Sequence, residues 1–389
     1  MSRLSIMKRN PFKDIDKGLL PILITVAVMA FGMSFVLPLI PLVIHDLGAS
    51  PSTIGQITSF FFISFTLVTL PIGKWIEKIG PKRLIMLGLF IYGASIFSMI
   101  FPTKAWWFYL IRIAQGFGSA CLFVPTESAI NVLSSAERRG SNMGLYAMVF
   151  ALGMAFGPPL GAWLFEINRF VPFVVCFIIS IVAIVVMWVG YEDVPASKKT
   201  SYLGLRKLAG TIKIPLLVGL CYAVVEVSIV GFLSLYLKEL QIKSSALGFI
   251  FTLFGIGGIV SPYPAGKAAD RFGKLNLLCI LGGILFVITF CFNLINGYLG
   301  IACLIFGVGF VAGGLYPIAL SLIADLIPAD RMGTGNAAFS LSFGLGCIFG
   351  PLATGWIMDL MGISHLFYPM TAAAFILFLF AIADVKKSP

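Results

Sequence analysis

Charge is what this sequence has least of. Only 11% of its 389 residues are Asp, Glu, Lys or Arg, against roughly 25% in an ordinary soluble protein. With 59% of the residues hydrophobic, the chain belongs in a bilayer. Histidine is nearly absent: His45 and His365 are the only two. No His-Glu-x-x-His pair and no second cluster of metal ligands accompanies them, which excludes histidine-based catalysis of that kind. The Gly-x4-Gly-Lys-Ser/Thr phosphate cradle is missing too, so ATP hydrolysis lacks its motif. The seven cysteines (121, 176, 221, 279, 291, 303 and 347) all fall inside apolar runs, where they serve as small apolar side chains. No disulfide, metal or cofactor is expected. Nor does a small-residue cleavage site follow the first apolar run, so the basic stretch from Met1 to Lys17 introduces a retained first span.

What is present is long apolar runs. A spanning helix needs about 20 mainly apolar residues, and such runs fill most of the chain; lipid cannot satisfy open backbone groups, and outer-membrane strands would be shorter and alternating. The fold class is therefore an all-α polytopic membrane protein with twelve transmembrane helices. Spans are expected at 18–44, 53–73, 84–101, 106–133, 141–165 and 172–190, then at 214–237, 246–266, 275–295, 298–326, 332–358 and 366–383. They form two six-helix bundles, 1–190 and 214–389, joined by a linker at 191–213. Both termini, the linker and four further connections share one side, which carries 22 of the 27 basic residues. The other side carries Lys104, Arg169, Lys238 and Lys243, and Arg112 lies inside a span. Basic residues concentrate on the cytoplasmic side, so both termini are expected there, in the cell membrane. The formal charge of +11 then describes membrane orientation and not nucleic-acid binding. The linker reads as an orientation-setting basic tether or as a short helix on the anionic inner leaflet.

Half of the chain repeats the other half. Gly73-Lys74-Trp75-Ile76-Glu77-Lys78-Ile79-Gly80-Pro81-Lys82-Arg83 is a dense charged turn between two apolar runs. Gly266, Asp270, Arg271 and Gly273 restate its glycine, acid, base and glycine 193 residues later. Gly153-xxx-Gly157-Pro158 recurs as Gly346-xxx-Gly350-Pro351, and Arg138-Arg139-Gly140 as Arg331-Met332-Gly333, at the same offset. Self-similarity at one offset marks internal repeats. The repeated Gly-xxx-(Asp/Glu)-(Arg/Lys)-x-Gly loop resembles the signature of the major facilitator superfamily, over essentially the whole chain. The first copy departs from that pattern in having Glu77 where Asp is commoner and Pro81 where a basic residue is common.

That resemblance extends to individual spans. Arg112-Ile113-Ala114-Gln115-Gly116-Phe117-Gly118-Ser119-Ala120 resembles the superfamily's Arg-xx-Gln-Gly-x-Gly-x-Ala pattern in the fourth helix. Gly32 followed by Pro38-xx-Pro41, and Gly153, Gly157, Pro158 and Gly161 in span five, resemble the drug:proton antiporter branch, although the usual last glycine is Ala162 here. Structural symmetry with Gly346, Gly350 and Pro351 is the competing reading of that last motif. The segments around Val124-Pro125-Thr126-Glu127 and Leu315-Tyr316-Pro317 are similar to a small group of uncharacterised bacterial facilitators, which names no substrate.

The residues themselves point to a proton-linked site. At 100° per residue Arg112, Gln115, Ser119, Phe123 and Thr126 lie within about 80° of one another on a helix, with Glu127 at the edge. Glu226 sits about 12 residues into span seven, near the midplane. Intramembrane charges are costly and mark functional positions; Glu226, Glu127 and Arg112 are the candidates for proton coupling, against structural pairing as the plainer role. The expected cavity residues are Phe31, Phe35, Gln115, Phe123, Tyr222 and Tyr316, with a helix break beside Tyr316 at Pro317; ordinary packing competes for each aromatic. The expected cytoplasmic gate comprises Gly73, Glu77, Lys78, Gly80, Arg83, Arg138, Gly266, Asp270, Arg271, Gly273 and Arg331, the acids latching onto bases or helix N-termini. These readings predict a proton-coupled secondary transporter, not an enzyme, that exports amphiphilic small molecules by rocker-switch alternating access and acts as a monomer. A proton-coupled nutrient symporter and a non-transporting membrane sensor are the alternatives.

Overall fold

The fold was analysed in a computed structural model of the chain, which describes residues 18–135, 138–191, 210–295, 297–328 and 331–386. Among the described residues every regular element is a helix. The first set consists of α1 (Leu19–Val36), α2 (Ile40–Asp46), α3 (Pro51–Ile79), α4 (Pro81–Ser98), α5 (Trp107–Leu133), α6 (Arg139–Ile167) and α7 (Val171–Gly190). The second consists of α8 (Lys213–Glu239), α9 (Ser244–Val260), α10 (Pro262–Phe272), α11 (Lys274–Cys291), α12 (Tyr298–Leu326), α13 (Met332–Met361) and α14 (Tyr368–Val385), the last preceded by a 3₁₀ turn at Ile363–His365. The basic segment before residue 18 and nearly all of the expected linker lie outside the described residues.

Proline and glycine explain most of the boundaries. Pro38 and Pro41 withdraw two backbone donors, and the first span breaks between α1 and α2 where they stand. Proline also opens α3, α4, α7, α10 and α14 within their first two positions, where its missing N–H is not needed. In the repeated turns Gly80 and Gly273 have φ of 84° and 82°. Each ends one helix and begins the next, a reversal that only glycine makes without strain.

Among the described residues ten helices are long and apolar enough to cross a membrane, and the bent pair α9–α10 makes eleven. The expected third span is α4, which packs against α5 and α7 but falls short of that measure, with Lys82 and Arg83 in its first turn. Two expectations about helix breaks are corrected. Span eight, read as continuous over 246–266, bends by 42° between α9 and α10, where Pro262 has no N–H to give. The break expected at Pro317 is absent, because α12 runs unbroken from Tyr298 to Leu326; lipid penalises any wider opening of the backbone.

The repeat in sequence is a repeat in packing. Helix α1 packs on α6 as α8 packs on α13, and α4 packs on α5 and α7 as α11 packs on α12 and α14. Matching glycines make these approaches close. A Cβ at Gly116 would stand 2.3 Å from the Phe61 carbonyl oxygen, and one at Gly309 would stand 2.2 Å from that of Phe254; both pairs differ by 193. The two sets meet along two seams, α3 with α13 and α6 with α9.

Candidate functional site

Glu226 is the central residue of α8, thirteen from either end, and is half-buried. One turn earlier Tyr222 is the polar neighbour of its carboxylate. The Tyr222 ring lies 5.4 Å from that of Tyr316 and 5.9 Å from that of Phe343. Tyr316 in turn meets Phe339 nearly edge-on at 5.1 Å. In the first set Glu127 of α5 is exposed, and the Tyr146 hydroxyl donates to it at 3.5 Å. Tyr316 is within electrostatic reach of both carboxylates, one from each set. Among the described residues neither acid is in an ion pair. The site therefore offers two acids and polarisable ring faces, a chemistry suited to cations and to amphiphiles with an aromatic or cationic part.

The walls of this site follow the internal repeat. Phe123 and Phe150 meet edge-on with centroids 5.6 Å apart. Their counterparts 193 residues on, Tyr316 and Phe343, meet edge-on at 6.2 Å. Tyr146 corresponds in the same way to Phe339. Of these, Tyr146, Phe150, Phe339 and Phe343 were not expected from sequence; carrying the offset through Phe123 and its neighbours would have found them. Phe31 is half-buried and stands 4.6 Å from Phe35. Phe35 itself is fully buried, with its backbone against Gly161 of α6, and so is packing rather than wall.

Arg112 is not brought to Glu226. It is buried, 6% exposed, near the other end of α5, with Nη1 donating to Gln115 Oε1 at 2.7 Å and the guanidinium 4.8 Å above the Phe61 ring. Tyr92 of α4, itself buried, lies beside this cluster. Gly116 and Gly118 bring α3 and α4 close enough to enclose it: a Cβ at Gly118 would lie 2.7 Å from the Tyr92 backbone nitrogen. The polar stripe of span four thus divides. Arg112 and Gln115 form a network inside the first set, and only Phe123 and Glu127 reach the centre.

The two faces of the molecule differ. On the face opposite the basic turns, Asp46 of the first set pairs with Lys238 of the second at 2.7 Å, and Arg169 stands 4.0 Å from the same carboxylate. Asp359 accepts from the Ser52 backbone N–H at 3.2 Å. A Cβ would meet nothing within 4 Å at Gly73, Gly144 and Gly266 on the basic face, nor at Gly48 and Gly297 on the other, so the difference lies in the charged side chains. Leu67 and Leu70 are 60% and 78% exposed. Glu77, Lys78, Arg83, Asp270, Arg271 and Arg331 are exposed as well, and among the described residues neither Glu77 nor Asp270 is in an ion pair. The expected gate is apart in this conformation. On this face Lys274 pairs with Asp325 at 2.6 Å and Lys213 with Asp384 at 2.5 Å, both within the second set.

A family model described as the Major Facilitator Superfamily matches residues 22–212 and again residues 215–389. The chain belongs to the major facilitator superfamily. Among its relatives, the uncharacterised transporter YfkF of Bacillus subtilis (strain 168) is 27% identical over 378 residues, covering 94% of this chain and 95% of that one. YcaD of Escherichia coli O7:K1, also an uncharacterised transporter of this superfamily, is 25% identical over 385 residues, covering 98% and 97%. Two solved structures share the fold at lower identity. A bacterial homologue of the human lysosomal transporter Spinster, in an inward-facing and unoccupied conformation, has a TM-score of 0.75 at 14% identity and covers 96% of each chain. The nucleoside transporter NupG has a TM-score of 0.73 at 14% identity, covering 95% of this chain and 99% of its own. The protein is thus a multi-pass membrane transporter of this superfamily, with the relatives and fold of transporters and not of enzymes.

Proposed function

We propose that this superfamily member is a proton-coupled antiporter that exports amphiphilic, cationic small molecules by rocker-switch alternating access. The observation that carries the reading is the pair of midplane and inner carboxylates, Glu226 and Glu127, one from each set, beside aromatic walls and in no ion pair among the described residues. An acid at this depth is retained where it can lose and regain a proton or meet a cation. Protonated, Glu226 is neutral and tolerates closure on either side; ionised, it attracts a cationic substrate and demands hydration. Proton and substrate then compete for one group, which is the requirement of antiport.

The basic face is assigned to the cytoplasm, from the 22 to four asymmetry of basic residues. With that orientation the conformation described is inward-open, sealed outside by Asp46, Lys238 and Asp359 and parted inside at Glu77 and Asp270. The chain is proposed to work as a monomer, since both acids and both aromatic walls come from one copy. Inside-out vesicles with an acid interior test the coupling. A transported lipophilic cation should collapse the proton gradient as it enters; a gradient that no compound in a broad cation screen disturbs would remove the antiport reading.

A further inference from the structure

At two places a hydroxyl of one set bonds to a backbone carbonyl of the other. Ser59 Oγ on α3 donates to the Ile348 carbonyl of α13 at 2.6 Å, and Thr252 Oγ1 on α9 donates to the Ala155 carbonyl of α6 at 2.9 Å. These are one contact made twice, since 59 and 252 differ by 193 and so do 155 and 348. Each hydroxyl has a second acceptor in its own helix, the Gly55 carbonyl at 3.0 Å and the Gly248 carbonyl at 3.2 Å. In both cases the bond across the seam is the shorter. Both residues are buried.

The approach is prepared at both seams by the same sequence motif, and the acceptor at one of them. Pro159, four residues beyond Ala155, has no N–H, so the Ala155 carbonyl lacks its helical donor and receives Thr252 instead. Ile348 has Leu352 four residues on, so its carbonyl keeps a helical donor and takes Ser59 as a second. One turn from each hydroxyl a glycine lets the helices touch: a Cβ at Gly55 would stand 2.3 Å from the Pro351 carbonyl oxygen, and one at Gly248 would stand 2.8 Å from that of Pro158.

Depth decides what these bonds do. Ser59 and Thr252 are each the ninth residue of their helix, about 12 Å of rise below its start, and the hydrocarbon layer is about 30 Å thick. Both bonds therefore lie near mid-depth, one in each seam, on either side of the central site. Two fixed points define a line. Rotation about that line is the only rigid-body movement between the sets that keeps both bonds. On one side of it Asp46 and Lys238 join the sets; on the other, Glu77 and Asp270 are exposed and, among the described residues, in no ion pair.

We propose that Ser59 and Thr252 are positioning residues that fix the rocking axis, with their cross-set bonds kept in both end states. The inference rests on the alternating-access reading above, and the following experiment separates the two. The full chain, with Cys279, Cys291 and Cys303 replaced and the four buried cysteines retained, is placed in lipid nanodiscs. Spin labels are attached in one sample at Lys74→Cys and Lys267→Cys on the basic face, and in another at Lys104→Cys and Asn293→Cys on the opposite face. Pulsed electron resonance distances are then recorded from acid to alkaline buffer.

The parent chain should show two distances for each pair, changing in opposite senses with pH. The Ser59→Ala/Thr252→Val variant should keep the ratio of the two populations within about twofold, because an interaction equal in both states cannot shift their balance. Its distance distributions should broaden and its melting temperature fall, and Ser59→Thr/Thr252→Ser, which keeps both hydroxyls, should restore them. A bond made in only one state would shift the ratio by roughly fivefold when lost. A shift of that size toward opening on the face opposite the basic turns overturns the axis and makes the hydroxyls a seal of that face. Unchanged widths and melting temperature overturn it as well. A parent chain with a single distance for both pairs at every pH overturns alternating access itself. If the double variant does not fold, the two single variants are read by the same criteria.

Discussion

Tyr316 is the residue at which the two halves of the transporter meet electrically. It lies within reach of Glu127 and Glu226 and touches Tyr222, Phe339 and Phe343. Replacing its ring removes a wall without cutting a helix. Tyr316→Ala is expected to weaken binding of a fluorescent lipophilic cation by roughly 5- to 100-fold, for about 1–3 kcal/mol of lost ring contact. Binding titrations on inserted, folded protein check this; an unchanged affinity would remove Tyr316 from the site. Glu226, Tyr222 and Tyr316 were legible in the sequence because an acid in an apolar run is rare and its partner sits one turn away. The surroundings of Arg112 were not. Helical phase placed Arg112 and Gln115 on one face correctly, but a helical wheel says nothing about which neighbour covers that face, and Tyr92 of α4 covers it.

Among helices, glycine spacing sets how closely α1, α6, α8 and α13 can lie. A Cβ at Gly161 would stand 2.2 Å from the Phe35 carbonyl oxygen, and backbone cannot swing aside as a side chain can. Gly161→Ala should therefore cost about 1–3 kcal/mol, as overpacking does, and lower the melting temperature in lipid. Gly144 of α6 has open space around it, so Gly144→Ala should leave stability unchanged or raise it by up to about 1 kcal/mol through helix propensity. Equal losses in the two variants would contradict the packing described. The Gly153, Gly157 and Gly161 series is visible in the sequence, as is the bend at Pro38 and Pro41. The bend at Pro262 is hidden when span eight is read by its apolar run alone. Pro317 misleads in the other direction, because a membrane helix can pass a proline that its neighbours support.

For the whole molecule, the internal repeat at 193 residues foretold two matching helix sets, while the two seams and the equivalent aromatic walls follow the same offset without having been read from it. It could not foretell the conformation, since the two halves share one orientation in the membrane and their likeness says nothing of how one face is joined relative to the other. The asymmetry is carried by the Asp46–Lys238 pair, which joins the sets on one face, although the repeat places Glu239 and His45 at the equivalent positions. Orientation is tested directly by Ser197→Cys, which should resist a membrane-impermeant thiol reagent applied to intact cells, whereas Lys104→Cys should react; ready labelling at 197 would invert the topology. The open gate yields a further expectation. Glu77→Ala or Asp270→Ala removes a partner needed only when the basic face closes, so conformational exchange should slow by about 5- to 30-fold, for about 1–2 kcal/mol, while substrate affinity holds. Equal loss of affinity and turnover would show that these turns are not a gate.

The most direct test of the account concerns the proton on Glu226. In proteoliposomes carrying a pH gradient, the unaltered transporter should concentrate a lipophilic cation against its own gradient. Glu226→Gln keeps the shape of the protonated acid, so it should still bind the cation and exchange it across the membrane, yet fail to concentrate it. A Glu226→Gln protein that accumulates the cation from the pH gradient alone, to the same level as the unaltered chain, would contradict the account and leave Glu226 a structural residue.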